Sequence, residues 1–326
     1  MSWTPTDSAL FFSKHDPQDQ RLGDFASNGD AIAHDSAVAD LCLWGYPDDE
    51  GIALNKGRVG AALAPTQIRT AFYKMTPHVL FPRKAKISDL GDVNKKIPLA
   101  ERHQAGLTQA QKMTAAGTPW ISLGGGHDYG YADGAGFLRG VEELLKQNPT
   151  TKKPVILNFD AHLDVRPLDK GLNSGTPFYR LLTEFPGAFH FFEIGLQPQC
   201  NSRAHWDWAL EKGAQLLPLS MIEEEGLLPI LTRVLGSLEG HPLWVSFDID
   251  GLQSSEAPGC SQSWTTGLKT ADVMRAFYWF THHFDWKALS IYEVSPPLDI
   301  DNHTSKAAAL LMHQFASLSF LRRGVR

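Results

Sequence analysis

Cysteine is scarce in this chain: Cys42, Cys200 and Cys260 are the only three among 326 residues. A count that is small, odd and widely spaced excludes a disulfide framework and fits reduced thiols in a cytoplasm. No apolar run approaches the roughly 18 residues that a membrane-crossing helix needs. The first 37 residues are polar and lack the basic-then-apolar order of a secretory leader, so none is expected. Basic residues are not in excess. Thirty Lys and Arg against 36 Asp and Glu give a net charge of −6, which favours neither nucleic acid nor an anionic membrane as partner. Internal repeats and low-complexity linkers are absent. The pattern G-x-x-x-x-G-K-[ST] is absent too, so Gly124-Gly125-Gly126 is no phosphate loop.

What remains is an ordinary globular composition, with a 43% hydrophobic fraction that supports a full core. Runs at Leu41–Tyr46, Trp120–Leu123, Val155–Phe159, Phe189–Gly195, Leu243–Phe247 and Leu289–Tyr292 are apolar on both faces. Strands of a parallel sheet covered on both faces have that pattern. Helical periodicity lies between them, at Thr66–Met75, Leu107–Ala116, Gly136–Gln147, Thr176–Glu184, Ser220–Leu238, Thr270–His282 and Thr304–Phe320. Ser220 with Glu223 predicts a capping box, and Pro229 predicts a kink or break in the long Ser220–Leu238 stretch. The alternation implies one doubly wound α/β domain, a three-layer α/β/α sandwich with a mainly parallel sheet. Residues 1–37 form a polar extension and residues 38–326 the domain.

Three strand-like runs end in potential metal ligands. They are Gly124-Gly125-Gly126-His127, Asp160-Ala161-His162-Leu163-Asp164 and Ser246-Phe247-Asp248-Ile249-Asp250. Ligands in doubly wound sheets bind at the carboxyl ends of strands, so sequence-distant ends can meet in one crevice. Asp and His after a strand often cap a helix or sit in a turn. In an extended segment, however, alternate side chains share a face, so Asp160, His162 and Asp164 point one way, and Asp248 and Asp250 repeat the spacing. Four acids placed together repel unless cations sit among them. Imidazole and carboxylate suit Mn, Fe, Ni or Zn, and the simplest reading is a site for two ions that make hydroxide from water. His190, His205, His241, His282, His283, His303 and His313 lack ligand spacing and read as surface or capping residues. Cys260 reads as a small core or loop residue.

These motifs resemble the ureohydrolases, the family of arginase, agmatinase and formimidoylglutamase. The family's G-G-x-H, D-A-H-x-D and S-x-D-x-D occur here in order. Glu293-Val294-Ser295-Pro296-Pro297 resembles the E-V-N-P stretch that follows them, and Asn55 to Ala61 with Ala64-Pro65 matches the N-terminal run. The resemblance covers roughly residues 38–320. Within the family the details are most similar to formimidoylglutamase, in Asn55-Lys56-Gly57-Arg58-Val59-Gly60-Ala61, Asp164-Val165-Arg166-Pro167 and Ser174-Gly175-Thr176-Pro177-Phe178. Arginase-like members carry a shuttle His near the Ser-Gly step and Asp-Pro after S-x-D-x-D. Thr176-Pro177-Phe178-Tyr179 and Gly251-Leu252-Gln253-Ser254-Ser255 provide neither.

The resemblance implies two Mn²⁺ per subunit, although Fe, Ni, Co or Zn also suit such ligands. His127, Asp160, Asp164 and Asp248 would hold one ion, and Asp160, His162, Asp248 and Asp250 the other, with Asp160 and Asp248 bridging. Glu293 would hold the cationic nitrogens of an amidine, and Asp164 or Asp250 would relay a proton to the leaving amine. The implied reaction converts N-formimidoyl-L-glutamate and water to L-glutamate and formamide, a step of histidine breakdown. Arg166 would bind substrate carboxylate, with Arg58 as a further candidate and Asn173, Ser174 and Thr176 adding neutral hydrogen bonds. A plain structural role for Arg166 would be an ion pair with Asp169. The alternatives are a urea-releasing relative acting on arginine, agmatine or a guanidino acid, and a non-catalytic metal-binding relative. The expected partners are a small-molecule substrate and other copies of the chain in a homo-oligomer.

Overall fold

The structure is a computed structural model, and it describes residues 2–29, 39–79, 81–82, 84–149 and 152–323. The strands are β1 (Trp3–Thr4), β2 (Ala26–Asn28), β3 (Leu41–Gly45), β4 (Ile87–Val93), β5 (Trp120–Leu123), β6 (Val155–Phe159), β7 (His190–Leu196), β8 (Gln215–Pro218), β9 (Pro242–Asp248) and β10 (Asp285–Tyr292). They form one sheet in the order β1-β4-β3-β5-β10-β9-β6-β7-β8, with β2 also paired to β4. Every pairing is parallel except β1 with β4.

The helices are α1 (Glu50–Leu54), α2 (Ala64–Phe72), α3 (Leu99–Ala115), α4 (Tyr129–Gln147), α5 (Pro177–Glu184), α6 (Arg203–Glu211), α7 (Leu219–Glu225), α8 (Leu227–Leu235), α9 (Thr270–His283) and α10 (His303–Arg323). Alternation along the strands sends side chains into two cores. Leu41, Leu43, Val155, Leu157, Val245 and Phe247 pack with α2, α8, α9 and α10. Cys42, Trp44, Trp120, Ile156 and Trp244 pack with α3, α4 and α5 on the other face. The expected α/β/α sandwich with a mainly parallel sheet is therefore present. Among the described residues no helix is long and apolar enough to cross a membrane.

The runs that are apolar on both faces form strands within a few residues of their expected bounds. The central sheet is more extensive than the sequence pattern implied. β4 carries Ser88, Asp89 and Asp92 and so does not look like a core strand. Asp89 is nevertheless fully buried, because the equally buried Arg69 reaches it from Nε at 2.8 Å and from Nη2 at 3.0 Å. Tyr73 and Thr6 hydroxyls donate to the same carboxylate, at 2.6 and 2.8 Å. A buried charge is tolerated only when paired and hydrogen-bonded in this way. The N-terminal stretch is not a separate extension as far as Asn28, since β1 and β2 pair with β4. The boundary expected between residues 37 and 38 lies outside the described residues.

The stretch Ser220–Leu238 breaks at Gly226, not at Pro229. Gly226 has φ +89°, a left-handed conformation that ends α7, and Pro229 lies in the first turn of α8, where its missing N–H leaves nothing unmet. The expected capping box is absent, because α7 starts at Leu219 after Pro218 and has no side-chain cap.

Candidate metal centre and its cavity

The ligand-bearing residues all lie at or just past the carboxyl ends of central strands. Gly124, Gly125 and Gly126 lead from β5 to His127. A Cβ at Gly125 would lie 1.7 Å from the Asp48 carbonyl oxygen, so only glycine lets the backbone pass there. Asp248 ends β9 and accepts the Asp250 N–H at 2.9 Å. The segment Asp160–Asp164 is not extended, as the simple alternation required. It is an irregular loop after β6, in which Asp164 has φ +48°. The turn still gathers Asp160, His162 and Asp164 to one side.

The structure brings these six residues together as two overlapping groups. His127 Nδ1 lies 3.2 Å from Asp160 Oδ2, 3.0 Å from Asp164 Oδ2 and 3.1 Å from Asp248 Oδ2. His162 Nδ1 lies 3.3 Å from Asp160 Oδ1 and 3.2 Å from Asp250 Oδ2. His127, Asp160, Asp164 and Asp248 form one group with metal-ligand proximity, and Asp160, His162 and Asp250 the other. Asp160 belongs to both groups. Asp248 belongs to the first group and not to the second, and its Oδ1 accepts the Asp250 N–H.

The local chemistry fits cations. His127 is fully buried and pairs Nε2 with Ser246 Oγ at 3.0 Å, which leaves Nδ1 turned to the three carboxylates. Nδ1 makes no hydrogen bond among the described residues, nor does Asp250 Oδ1. A metal-binding imidazole typically donates its other N–H in this way to fix the ring. Burial and the neighbouring acids push the Asp248 carboxyl well above its usual range, and burial above all lifts Asp250 to about 6. Burial also tends to raise Asp160, but hydrogen bonds from His127 and His162 hold it below the usual range. Burial works to lower His127 and His162, yet their facing carboxylates lift both well above the usual value. The cluster thus borrows protons to offset charge that divalent ions would neutralise.

Glu293 follows β10 with φ +65°, and its Oε1 accepts the His127 N–H at 3.0 Å. Burial lifts its carboxyl to about 8. It lines a cavity of about 250 Å³ together with His162, Asp164, Asp248 and Asp250. Arg166 and Ser174 lie on the same wall. The Arg166 guanidinium donates to Asn55 Oδ1 and makes no ion pair with Asp169 or any other acid among the described residues. Ser174 Oγ accepts from Asn55 Nδ2 at 3.0 Å.

Three other expected substrate contacts lie off the cavity wall. Asn173 and Thr176 bond each other across their own turn, with Thr176 Oγ1 donating to the Asn173 carbonyl at 2.7 Å. Arg58 donates to the Ser261 and Cys260 carbonyls at 2.9 and 3.0 Å and pins the opposite rim. Cys260 is buried, as its core reading required.

A sequence profile of the arginase family matches residues 39–317. The chain belongs to the arginase family. A formimidoylglutamase of Klebsiella pneumoniae is 30% identical over 97% of this chain and 98% of its own length. A formimidoylglutamase of Hahella chejuensis is 31% identical over 87% of each chain. The crystal structure of Trypanosoma cruzi formiminoglutamase with Mn²⁺ superposes with a TM-score of 0.77. It is 25% identical, over 93% of this chain and 98% of that one.

This arginase-family site has walls that motif reading missed. Gln199, Cys200, Gln262 and Trp264 also line the cavity. The first two follow β7, and the strand-end rule would have found them had the end of that strand been read as a fourth contributor. Gln262 and Trp264 come from the long connection after Asp250 and carry no spacing signal. His103 was also missed. It is buried, with Nε2 2.7 Å from Asp128 Oδ2, directly beside His127 in sequence.

A further layer escaped notice because it is one residue per strand. Ser122, Asn158, Glu193, Ser246 and Ser290 each interrupt an apolar run and each is fully buried. Strand register sets them abreast in the order Glu193, Asn158, Ser246, Ser290, Ser122. Asp248 stands two residues further along β9, hence on the same face one pleat above Ser246, and Asp160, just past the end of β6, lies within hydrogen-bond reach of Asn158.

Proposed function

We propose that the chain is a formimidoylglutamase, converting N-formimidoyl-L-glutamate and water to L-glutamate and formamide with two Mn²⁺ per subunit. The observation that carries the reading is a pair of ligand groups sharing Asp160 at the floor of a cavity whose wall bears Arg166 free of any acid partner. Similarity to formimidoylglutamases over nearly the whole chain supports it.

In this reading His127, Asp160, Asp164 and Asp248 hold one ion, and Asp160, His162 and Asp250 the other. When bound, such ions activate water at neutral pH and polarise the carbon it attacks. Glu293 keeps one carboxylate oxygen on the His127 N–H, and the other receives the N–H groups of the amidine. Burial lifts its carboxyl to about 8, and a cationic amidinium beside it draws it into the charged form. Asp250, with Asp164 beside it, would relay a proton from the attacking water to the departing amine. Arg166 takes substrate carboxylate, and Ser174 adds a hydroxyl at the same wall. Asn173 and Thr176 shape the turn that presents Ser174, and Arg58 holds the far rim. Residence in the cytoplasm and assembly as a homo-oligomer complete the proposal, and a molar mass from light scattering checks the assembly.

The deciding experiment offers Mn-loaded enzyme formimidoylglutamate, arginine and agmatine and measures formamide and urea. Formamide and glutamate from the first substrate alone are expected. Urea from arginine or agmatine, with formimidoylglutamate untouched, would replace this reading with that of a urea-releasing relative.

A further inference from the structure

Asp160 is the carboxylate common to both ligand groups. How it is held determines both. Its Oδ1 takes the His162 N–H at 2.7 Å. Its Oδ2 takes one N–H of Asn158 Nδ2 at 3.3 Å, and the same nitrogen donates to Glu193 Oε2 at 2.8 Å. Asn158 therefore forks between two carboxyl groups, and this fixes which way its amide points. The fork is imposed by the sheet, because Asn158 and Glu193 are register partners on β6 and β7. Asp160, Asn158 and Glu193 are all fully buried.

Glu193 takes no part in either ligand group and does not line the cavity. Its Oε1 has no partner among the described residues, nor has Asn158 Oδ1. An ionised carboxylate in that position would be fully buried with Asn158 as its one side-chain donor among the described residues. It would also add a negative charge beside Asp160 in a cluster already crowded with carboxylates, with no cationic side chain paired to it among the described residues. Burial and the Asp160 charge push the Glu193 carboxyl well above its usual range in accord with this. A protonated carboxyl still accepts a hydrogen bond from Asn158 while adding no charge.

We propose that Asn158 and Glu193 are positioning residues that fix Asp160 for both metal sites, with Glu193 acting as a neutral acceptor. The proposal rests on the metal-centre reading above. It assigns no contact with substrate.

The experiment measures Mn²⁺ affinity by calorimetry and by electron paramagnetic resonance of free Mn²⁺. The proteins are wild type, Glu193→Gln, Glu193→Leu and Asn158→Ala, with metal-free melting temperatures as a fold control. Glu193→Gln keeps shape, neutrality and an acceptor, so wild-type affinity is expected. Glu193→Leu and Asn158→Ala should weaken Mn²⁺ binding by roughly ten- to a hundredfold, the usual effect of removing a ligand's orienting partner. Their kcat should recover in excess Mn²⁺ with KM for substrate unchanged, a response that a merely structural role would not produce. Wild-type affinity in Asn158→Ala overturns the proposal, whether or not the leucine variant folds. Equal loss in Glu193→Gln overturns the neutral-acceptor role. If wild type itself bound no Mn²⁺, the metal-centre reading would have failed instead.

Discussion

Arg166 offers the sharpest test of how this cavity chooses its ligand. The guanidinium has five N–H donors, and one is engaged by Asn55 Oδ1. The side chain stacks its stem on Gly175, whose added Cβ would lie 2.8 Å from Arg166 Cδ. It is thus placed by the wall but not neutralised by an acid. A hydrogen bond to a charged group contributes about 1.5–3 kcal/mol, so Arg166→Ala should lower kcat/KM for formimidoylglutamate by roughly ten- to more than a hundredfold. The loss of the Asn55 contact belongs to an exposed pair and adds little to stability. Lysine in its place restores charge without the planar fork and should recover only part of the loss. Glutamate release followed with a coupled dehydrogenase gives the rates, and elemental analysis should show unaltered metal content. An alanine variant with wild-type kcat/KM refutes the carboxylate clamp. Arg58 could not then take over, because its guanidinium is already bound to the Ser261 and Cys260 carbonyls.

Further predictions follow from the shared ligand, the buried acids and the glycine turn. Wild type incubated with Mn²⁺ and desalted should retain two equivalents, Asp250→Asn about one and Asp160→Asn close to none; equal retention by the two variants refutes the sharing. Glu293 and Asp250 are raised in the folded protein to about 8 and about 6, from 4.5 and 3.8. Raised carboxyls contribute stability that is complete below the unfolded values and lost as pH rises through the folded ones. The metal-free melting temperature should therefore fall as pH climbs from about 5 to about 8, and stabilisation by Mn²⁺ should grow over that window; a flat metal-free profile contradicts the burial of these groups. Gly125→Ala places a methyl group against the Asp48 carbonyl. By overpacking alone it should destabilise by about 1–3 kcal/mol or more and lower Mn²⁺ affinity through His127, both readable in thermal and metal titrations.

The central strands and the six candidate ligands were legible because each announces itself locally. A mostly apolar run and then a carboxylate or imidazole is a strong signal when three copies point to one sheet edge. Elements stabilised by distant partners were not legible. β4 looked like a loop because the partner of Asp89 is Arg69, on α2. α6 went unseen because one fully buried residue, Ala209, marks its inner face. Arg166 could be placed near the ligands by its position two residues past Asp164, whereas only the folded chain shows that Arg58 holds the Ser261 and Cys260 carbonyls. The D-x-H-x-D motif was found for a reason that does not hold in detail. The residues converge through a left-handed turn at Asp164, not through strand alternation. The row Glu193–Asn158–Ser246–Ser290–Ser122 is the instructive omission. A lone polar residue in each apolar run is noise until strand register lines the five up.

The strand order carries a consequence for how the protein is made. β10 is the last strand to be synthesised, yet it sits between β5 and β9. Until it inserts, the half of the sheet ending in His127 shares no edge with the half ending in Asp160, Asp164 and Asp248. A chain emerging from the ribosome can therefore set Asp160, His162 and Asp250 together at the ends of β6 and β9 before β10 exists, but it cannot yet bring His127 to them. A chain stopped before Asp285 should thus retain at most one Mn²⁺ where the whole chain retains two. The second equivalent doubles as a certificate that β10 has been made and inserted.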